Sequence, residues 1–355
     1  MKKIGIITIS DNNNYGNRLQ NYALQKFLER YCYVDTLWNN KDYSLKYIIK
    51  EKIKIFMDKR KMSRFYKFKK FTKKIIHSKF ILHQSKKIKK IEKYYDYMIT
   101  GSDQVWNPYF NFMSDIELLS FVSSKKRISY AASFGVDRID EFAEKKVKEY
   151  ISNYKSISVR EDRGKEIIEE LTGRKDVQVL VDPTMLLTAE EWDKVSNRPK
   201  QLDKIKEEKY ILNYFLGELS ESRKNEIERI AKENNCHIIN ILDKNDPFYI
   251  SGPSEFLYLE KHAFLICTDS FHSSVFAILY DRPFIIFDRE QKGVESMNSR
   301  IDTLISKFKL KNRKYNGKCI TKENLEHDYT EAYEILEKER EKSKAFLEKA
   351  LDIKK

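Results

Sequence analysis

The sequence predicts an α/β protein made of two consecutive domains, each built on a parallel sheet. Three observations lead there. Short β-branched runs alternate with amphipathic helical stretches along most of the chain, the pattern of strand–helix–strand crossovers. At 355 residues the chain exceeds the size at which one hydrophobic core usually stops growing. A charged stretch containing Pro199, residues 190–208, separates the alternation into two series and reads as a linker. Hydrophobic residues make up 41% of the chain and aromatics 13%, enough for two cores, which excludes a globally disordered protein.

In the first series, residues 4–9 read as a buried strand, followed by a polar loop and a helix over 17–31. Leu19, Tyr22, Ala23, Phe27 and Leu28 share one face of that helix. Strands follow at 97–100, 127–132, 156–160 and 177–181. The second series runs strand 210–216, helix 220–233, strand 236–242, short helix 254–261, strand 264–268, helix 273–280 and strand 283–287. Residues 322–352 read as one long charged helix. The expected organisation is therefore a Rossmann-like domain over 1–190, a second over 205–321 and a C-terminal helix over 322–355. Two Rossmann-like halves in series imply a GT-B-like arrangement. Its active site is expected in the cleft between the domains, because open α/β sheets bind ligands beyond the carboxyl ends of their strands. There is no GxGxxG and no Walker A motif, and ten glycines leave little room for glycine-rich phosphate loops.

The first residues, Met1 to Ile9, are too short an apolar run for a signal peptide and meet polar Asp11 to Asn14 at once. No apolar segment approaches the roughly 18 residues that span a bilayer, so a cytoplasmic protein is expected. Cys32, Cys236, Cys267 and Cys319 are scattered, without a CxxC pair, and read as reduced thiols with no zinc site.

The net charge of +14 is concentrated in one place. Residues 46–93 hold 19 Lys and Arg against Glu51, Asp58 and Glu92, leaving the rest of the chain near neutral. Ile49, Ile53, Phe56, Phe65, Phe68, Phe71, Ile75 and Ile76 recur there at near-helical spacing, so the segment reads as a basic amphipathic helical insert in the first domain. A solvated lysine face is one reading. Peripheral contact with an anionic membrane surface, at the inner face of the plasma membrane, or with a lipid-linked acceptor is a second. Nucleic acid is disfavoured, since no helix-turn-helix, RNP or zinc-finger pattern accompanies the charge.

Four motifs follow strands. In Phe264-Leu-Ile-Cys-Thr-Asp-Ser-Phe-His-Ser-Ser, a buried strand ends at Thr268 and a helix begins near His272. Backbone N–H groups and the positive helix end there suit a phosphate or carboxylate, with Thr268, Ser270 and Ser273 as further donors. His272 is placed for acid/base work, and equally for a helix cap or a packed core histidine. In Tyr97-Met-Ile-Thr-Gly-Ser-Asp-Gln-Val-Trp, Gly101 permits a tight turn, Ser102, Asp103 and Gln104 offer polar groups, and Trp106 offers a ring on which a sugar could stack or which fills the core. The loop Ser10 to Tyr22 presents Tyr15, Asn17 as helix cap, and an exposed Arg18. In Ser156-Ile-Ser-Val-Arg-Glu-Asp, Arg160 can hold an anion bidentately or pair with Glu161 or Asp162.

Eight collinear stretches resemble the polysaccharide pyruvyltransferase family: NNYGNRLQNYALQ at 13–25, ITGSDQVWNP at 99–108, YAASFG at 130–135, SVRED at 158–162, VDPTMLL at 181–187, SGPSEFLYL at 251–259, TDSFHSSVFAILYDRPFIIF at 268–287 and MNSRIDTLI at 297–305. The resemblance implies a GT-B-like fold, phosphoenolpyruvate as co-substrate, no cofactor or metal, and a sugar or lipid-linked oligosaccharide acceptor that receives a ketal. The first domain would take the acceptor and the second the donor. His272 matches the family's catalytic histidine and Arg160 an arginine on the donor anion. A family lysine about twenty residues past the histidine falls near Lys292, with Arg289 or Arg300 as substitutes. Asp103 or Asp269 would orient the histidine or the acceptor, which Tyr15, Asn17, Ser102, Gln104 and Trp106 would contact. A nucleotide-sugar glycosyltransferase on the same scaffold, and a non-catalytic glycan- or membrane-binding protein, are the competing expectations.

Overall fold

The computed structural model describes residues 1–9, 13–39, 53–75, 81–82, 88–110, 113–205, 209–290 and 299–353. By its internal contacts the chain divides into two units. One comprises Met1–Lys50, Thr72–Leu186 and Glu337–Lys355, the other Glu51–Phe71 and Leu187–Leu336.

The first unit contains β1 (Lys3–Ile7), β2 (Tyr33–Thr36), β3 (Trp38–Asn39), β4 (Ile81–Leu82), β5 (Tyr97–Thr100), β6 (Arg127–Ala132), β7 (Ser156–Val159) and β8 (Gln178–Val179). Six of these form a sheet in the order β2-β1-β5-β6-β7-β8, parallel at every pairing, and β3 pairs with β4 beside it. Ile4, Ile6, Ile7, Met98, Ile99, Ile157 and Val159 are all buried, as expected of a parallel sheet covered on both faces. The strand order reverses between β1 and β5.

The second unit repeats the plan with β9 (Tyr210–Tyr214), β10 (His237–Asn240), β11 (Leu265–Thr268) and β12 (Phe284–Ile286), again parallel, in the order β10-β9-β11-β12. All five residues of β9 and all four of β11 are buried. Here the order reverses between β9 and β11. In open α/β sheets such reversals are where ligand sites form, because adjacent loops diverge to opposite faces and leave a crevice.

Several boundaries differ from the sequence reading. The first helix spans Tyr15–Leu28, capped by the Asn14 side chain, which accepts from the Asn17 N–H; Asn17 lies inside the helix. The long C-terminal helix is broken. A short turn at Lys322–Leu325 precedes the helix Thr330–Ala350, whose part beyond residue 336 belongs to the first unit. Phe346 packs on Tyr130, and Lys155 Nζ donates to the Ala350 carbonyl at 2.6 Å. Residues 190–205 are no free linker. Trp192 is fully buried against Phe276, Thr188 and Glu191 form a capping box, and Lys261 pairs with Asp193 at 2.6 Å.

The basic segment divides as well. Its helix Lys59–Thr72 buries Arg64, Phe68, Phe71 and Thr72 along one stripe. Arg64 donates to the Tyr249 carbonyl at 3.0 Å, and Lys67 pairs with Glu255 at 2.7 Å, so residues 51–71 join the second unit. That departs from an insert carried wholly by the first domain.

Candidate active site

At the β1/β5 reversal the backbone makes room for a buried polar network. Gly101 has φ +110°, and a Cβ there would lie 2.4 Å from the Tyr130 carbonyl oxygen, so the turn after β5 requires glycine. The Gly101–Ser102 peptide is cis. Ser102 N–H donates to Gln20 Oε1 (3.1 Å), and the Ser102 hydroxyl lies 2.7 Å from the Ala131 carbonyl and 3.1 Å from Asp182 Oδ2. Asp103 follows in the left-handed region, φ 71°, a conformation that Asp tolerates better than most residues.

Arg160 leaves the end of β7 and closes this network from the side. Its guanidinium donates to Asp182 at 2.7 Å and to Asp103 at 3.1 Å, and the whole side chain is buried. The two carboxylates hold the guanidinium pKa above its ordinary value against the opposing cost of burial. Next in sequence, buried Glu161 accepts from the Ser133 hydroxyl and the Phe134 and Gly135 N–H groups, at 2.9, 2.9 and 3.2 Å. It fixes the loop that follows β6.

The second unit builds a matching site at its own reversal. Asp269, just past β11, accepts from the backbone N–H groups of Leu216 (2.7 Å) and Gly217 (2.8 Å), which follow β9. Arg289 Nε donates to the same carboxylate at 3.2 Å, and its Nη2 to the Asp269 carbonyl at 3.2 Å. A Cβ on Gly217 would meet Arg289 Cγ at 2.7 Å and the Glu290 carbonyl at 2.8 Å, so this close approach also requires glycine. The helix Phe271–Leu279 starts at once, with Ser270 as its N-cap residue. His272 therefore stands on the first helical turn, where backbone N–H groups and the positive end of the helix dipole converge. The residue is 6% exposed, and its imidazole lies edge-on to Phe271. Beneath that turn, the Ser273 hydroxyl donates to Glu260 at 2.6 Å. Glu260 is fully buried on the helix Pro253–His262, and desolvation raises its pKa well above the usual carboxyl range.

A cavity of about 460 Å³ opens on the β9/β10 side, lined by Asn213, Phe215, Lys224, Glu228, Ile238 and Asp243. It lies across β9 from Asp269 and His272 in the strand order. Among the described residues, no group of three or more His, Cys, Asp or Glu side chains is placed to hold a metal ion.

The model of the polysaccharide pyruvyl transferase family matches residues 14–291, which include both reversals. The chain belongs to that family. No curated protein sequence matches it. Among solved structures, the chain is similar to the UDP-N-acetylglucosamine 2-epimerase of Neisseria meningitidis bound to UDP-GlcNAc, at 12% identity and TM-score 0.50, with 99% of this chain and 98% of that one covered. It is similar also to the S. aureus MnaA–UDP structure, at 14% identity and TM-score 0.50, with 96% and 89% covered. At these identities the likeness is one of fold, and the fold is GT-B: two α/β units, each on a parallel sheet.

The expected site residues fall into two groups. His272, Thr268, Ser270, Ser273 and Arg289 gather at the second reversal; Thr268 donates to the Tyr214 carbonyl at 2.6 Å and accepts from the Ser270 N–H. Asp103, Ser102, Arg160 and Gln104 gather at the first, where Gln104 accepts from the Asn107 amide at 2.7 Å. Three readings change. Arg160 presents no open fork to a donor, because both sides of its guanidinium face carboxylates. Trp106 is fully buried among Phe134 and Tyr154, so its ring offers no face to a sugar. Arg18 is buried rather than exposed and donates to the Ile9 carbonyl. Tyr15 lies fully buried and Asn17 nearly so on the first turn of their helix, and Arg300 is buried on the helix Ser299–Lys307. Lys292 lies outside the described residues. Sequence reasoning missed Gln20, Asp182 and Glu260, and offered Glu161 only as an ion-pair partner of Arg160, whereas it accepts from the loop after β6. Asp182 carried a signal in VDPTM, an acid placed just after a strand.

Proposed function

We propose that the protein transfers the pyruvyl group of phosphoenolpyruvate onto two hydroxyls of a sugar, forming a cyclic ketal and releasing phosphate. The observation that carries this reading is the placement of His272, with the Asp269–Arg289 pair, at the β9/β11 reversal of a chain matched over 14–291 by the pyruvyl transferase family.

Arg289 is the cation best suited to the donor. Asp269 holds it through two of its five N–H donors, and its side chain is 15% exposed, so the rest of the fork can meet a carboxylate or phosphate. The N–H groups at the start of the helix Phe271–Leu279 supply a second anion-binding element. In the reaction the donor's methylene carbon takes a proton and becomes a methyl group, which places positive character on the carbon bearing the phosphate ester. One sugar hydroxyl adds there. The C–O bond to phosphate breaks, the second hydroxyl adds, and phosphate leaves with the second proton. His272 moves these protons.

A thermal-shift titration tests the donor directly. Phosphoenolpyruvate is expected to raise the melting temperature while UDP and GDP do not; stabilisation by a nucleotide alone would make the chain a glycosyltransferase. His272→Ala is expected to abolish phosphate release from phosphoenolpyruvate in the presence of a sugar acceptor. Substantial residual release would remove His272 from the mechanism.

A further inference from the structure

We propose that the lysine-rich helical segment 53–70 docks the protein peripherally on an anionic lipid bilayer. Phe56 and Met57 enter the interface and the lysines meet the lipid phosphates. The proposal stands apart from the donor chemistry and from the residues that carry it.

Ile53, Phe56 and Met57 are 51%, 71% and 82% exposed, an unusual concentration of bare apolar surface in five residues. Residues 53–57 are helical, so positions i, i+3 and i+4 fall on one face. The helix that follows turns Arg64, Phe68 and Phe71 inward and leaves Lys59, Tyr66, Lys69 and Lys70 exposed. Its inward face is occupied within the second unit, where Arg64 bonds the Tyr249 carbonyl and Lys67 bonds Glu255. The outward face of this helix therefore presents a tyrosine and several cations, directly after the exposed apolar residues of 53–57.

The charge selects the partner. Residues 53–70 contain eight Lys and Arg and the single acid Asp58. Asp58 is taken up at the helix start, where it accepts the N–H groups of Arg60 (3.0 Å) and Lys61 (3.1 Å). A nucleic acid would reward the cations and stack on an aromatic ring, but offers nothing to Met57 or Ile53. An anionic bilayer takes both halves of the surface: phosphates bind the lysines, and the acyl boundary takes Phe56, Met57 and Ile53. Tyr66 has the amphipathic ring that favours the headgroup level.

Flotation with vesicles tests this. The full chain is expected to float with vesicles of phosphatidylglycerol mixed into phosphatidylcholine and not with phosphatidylcholine alone, and salt should weaken the binding. The triple variant Lys59→Ala, Lys69→Ala, Lys70→Ala is expected to lower the partition coefficient on the order of a hundredfold. Phe56→Ser with Met57→Ser lowers it on the order of tenfold or more. These positions are exposed, so each variant should melt with the parent protein. Phe56→Trp reports insertion directly, through a blue shift of its emission on anionic vesicles. Four results would overturn the proposal: no retention at low salt, equal retention on neutral vesicles, variants that bind like the parent, or no blue shift. Lysine-dependent binding to duplex DNA or RNA without vesicle binding would assign the surface to nucleic acid. Self-association lost in the Phe56→Ser, Met57→Ser variant would assign it to a second copy of the chain.

Discussion

Arg160 and Arg289 each follow a strand and each meet an aspartate, yet their environments differ in kind. Arg160 is sealed between Asp103 and Asp182, whereas Arg289 keeps part of its fork open. Arg160→Met leaves two buried carboxylates without a counter-charge and is expected to cost about 3–5 kcal/mol, read from the urea midpoint. Arg289→Met should cost about 1 kcal/mol or less and instead remove the stabilisation by phosphoenolpyruvate. The two arginines look alike in sequence because their partners lie 57 and 22 residues from Arg160 and 20 from Arg289. Glu260 gives a pH prediction. Burial pushes its pKa well above the usual carboxyl range in the folded protein, while the unfolded chain releases the proton within that range. Its effect therefore lowers stability as the pH rises above that range. Glu260→Gln retains an acceptor for the Ser273 hydroxyl and cannot ionise. As the pH rises above the ordinary carboxyl range the variant's melting temperature should gain on the parent's, and parallel curves would show that Glu260 is already ionised when folded.

At the scale of elements, the loops after β5 and β9 do the positioning, and each depends on a glycine. Gly101→Ala puts a methyl group 2.4 Å from the Tyr130 carbonyl at a φ that alanine avoids, and is expected to lower stability by more than about 1 kcal/mol. Gly217→Ala presses on the Arg289 side chain and the Glu290 carbonyl. It should weaken phosphoenolpyruvate stabilisation more than it lowers the melting temperature of the free protein. An unaltered phosphoenolpyruvate shift would detach this loop from the site. The strands that carry these loops were legible: 97–100 and 127–132 stand where the β-branched runs placed them, and β9 and β11 differ only at their ends. β2 was not. It is four residues long and contains Asp35, which reads as a loop residue until its carboxylate is found buried under the Tyr95 hydroxyl at 2.8 Å. The helix ends were misplaced for a related reason. Asn14 and Asn17 both suit a cap, and only the backbone shows which side chain turns toward the helix.

At the scale of the molecule, the alternation of strands and helices announced two domains, but not how the chain is shared between them. Contacts assign residues 51–71 to the second unit and 337–355 to the first, information carried by packing rather than by periodicity. A fragment cut after residue 186 therefore lacks Phe346, which covers Tyr130, and the carbonyls of Ala350 and Leu351, which accept from Lys155 and Lys2 at 2.6 Å each. Fragment 1–186 is expected to unfold at lower urea than the same fragment supplied with peptide 330–355, as followed by circular dichroism. No gain from the peptide would show that the first unit is complete without it. The same interleaving governs the birth of the protein. The last residue of the second unit, Leu336, directly precedes Glu337, with which the first unit resumes. At roughly 5–20 residues per second, the stretch from Leu186 to Glu337 takes roughly 8–30 s to synthesise. Through that interval the ribosome carries a first unit whose Tyr130 side still waits for its helix. The unit that starts later along the chain is the one that can finish folding first.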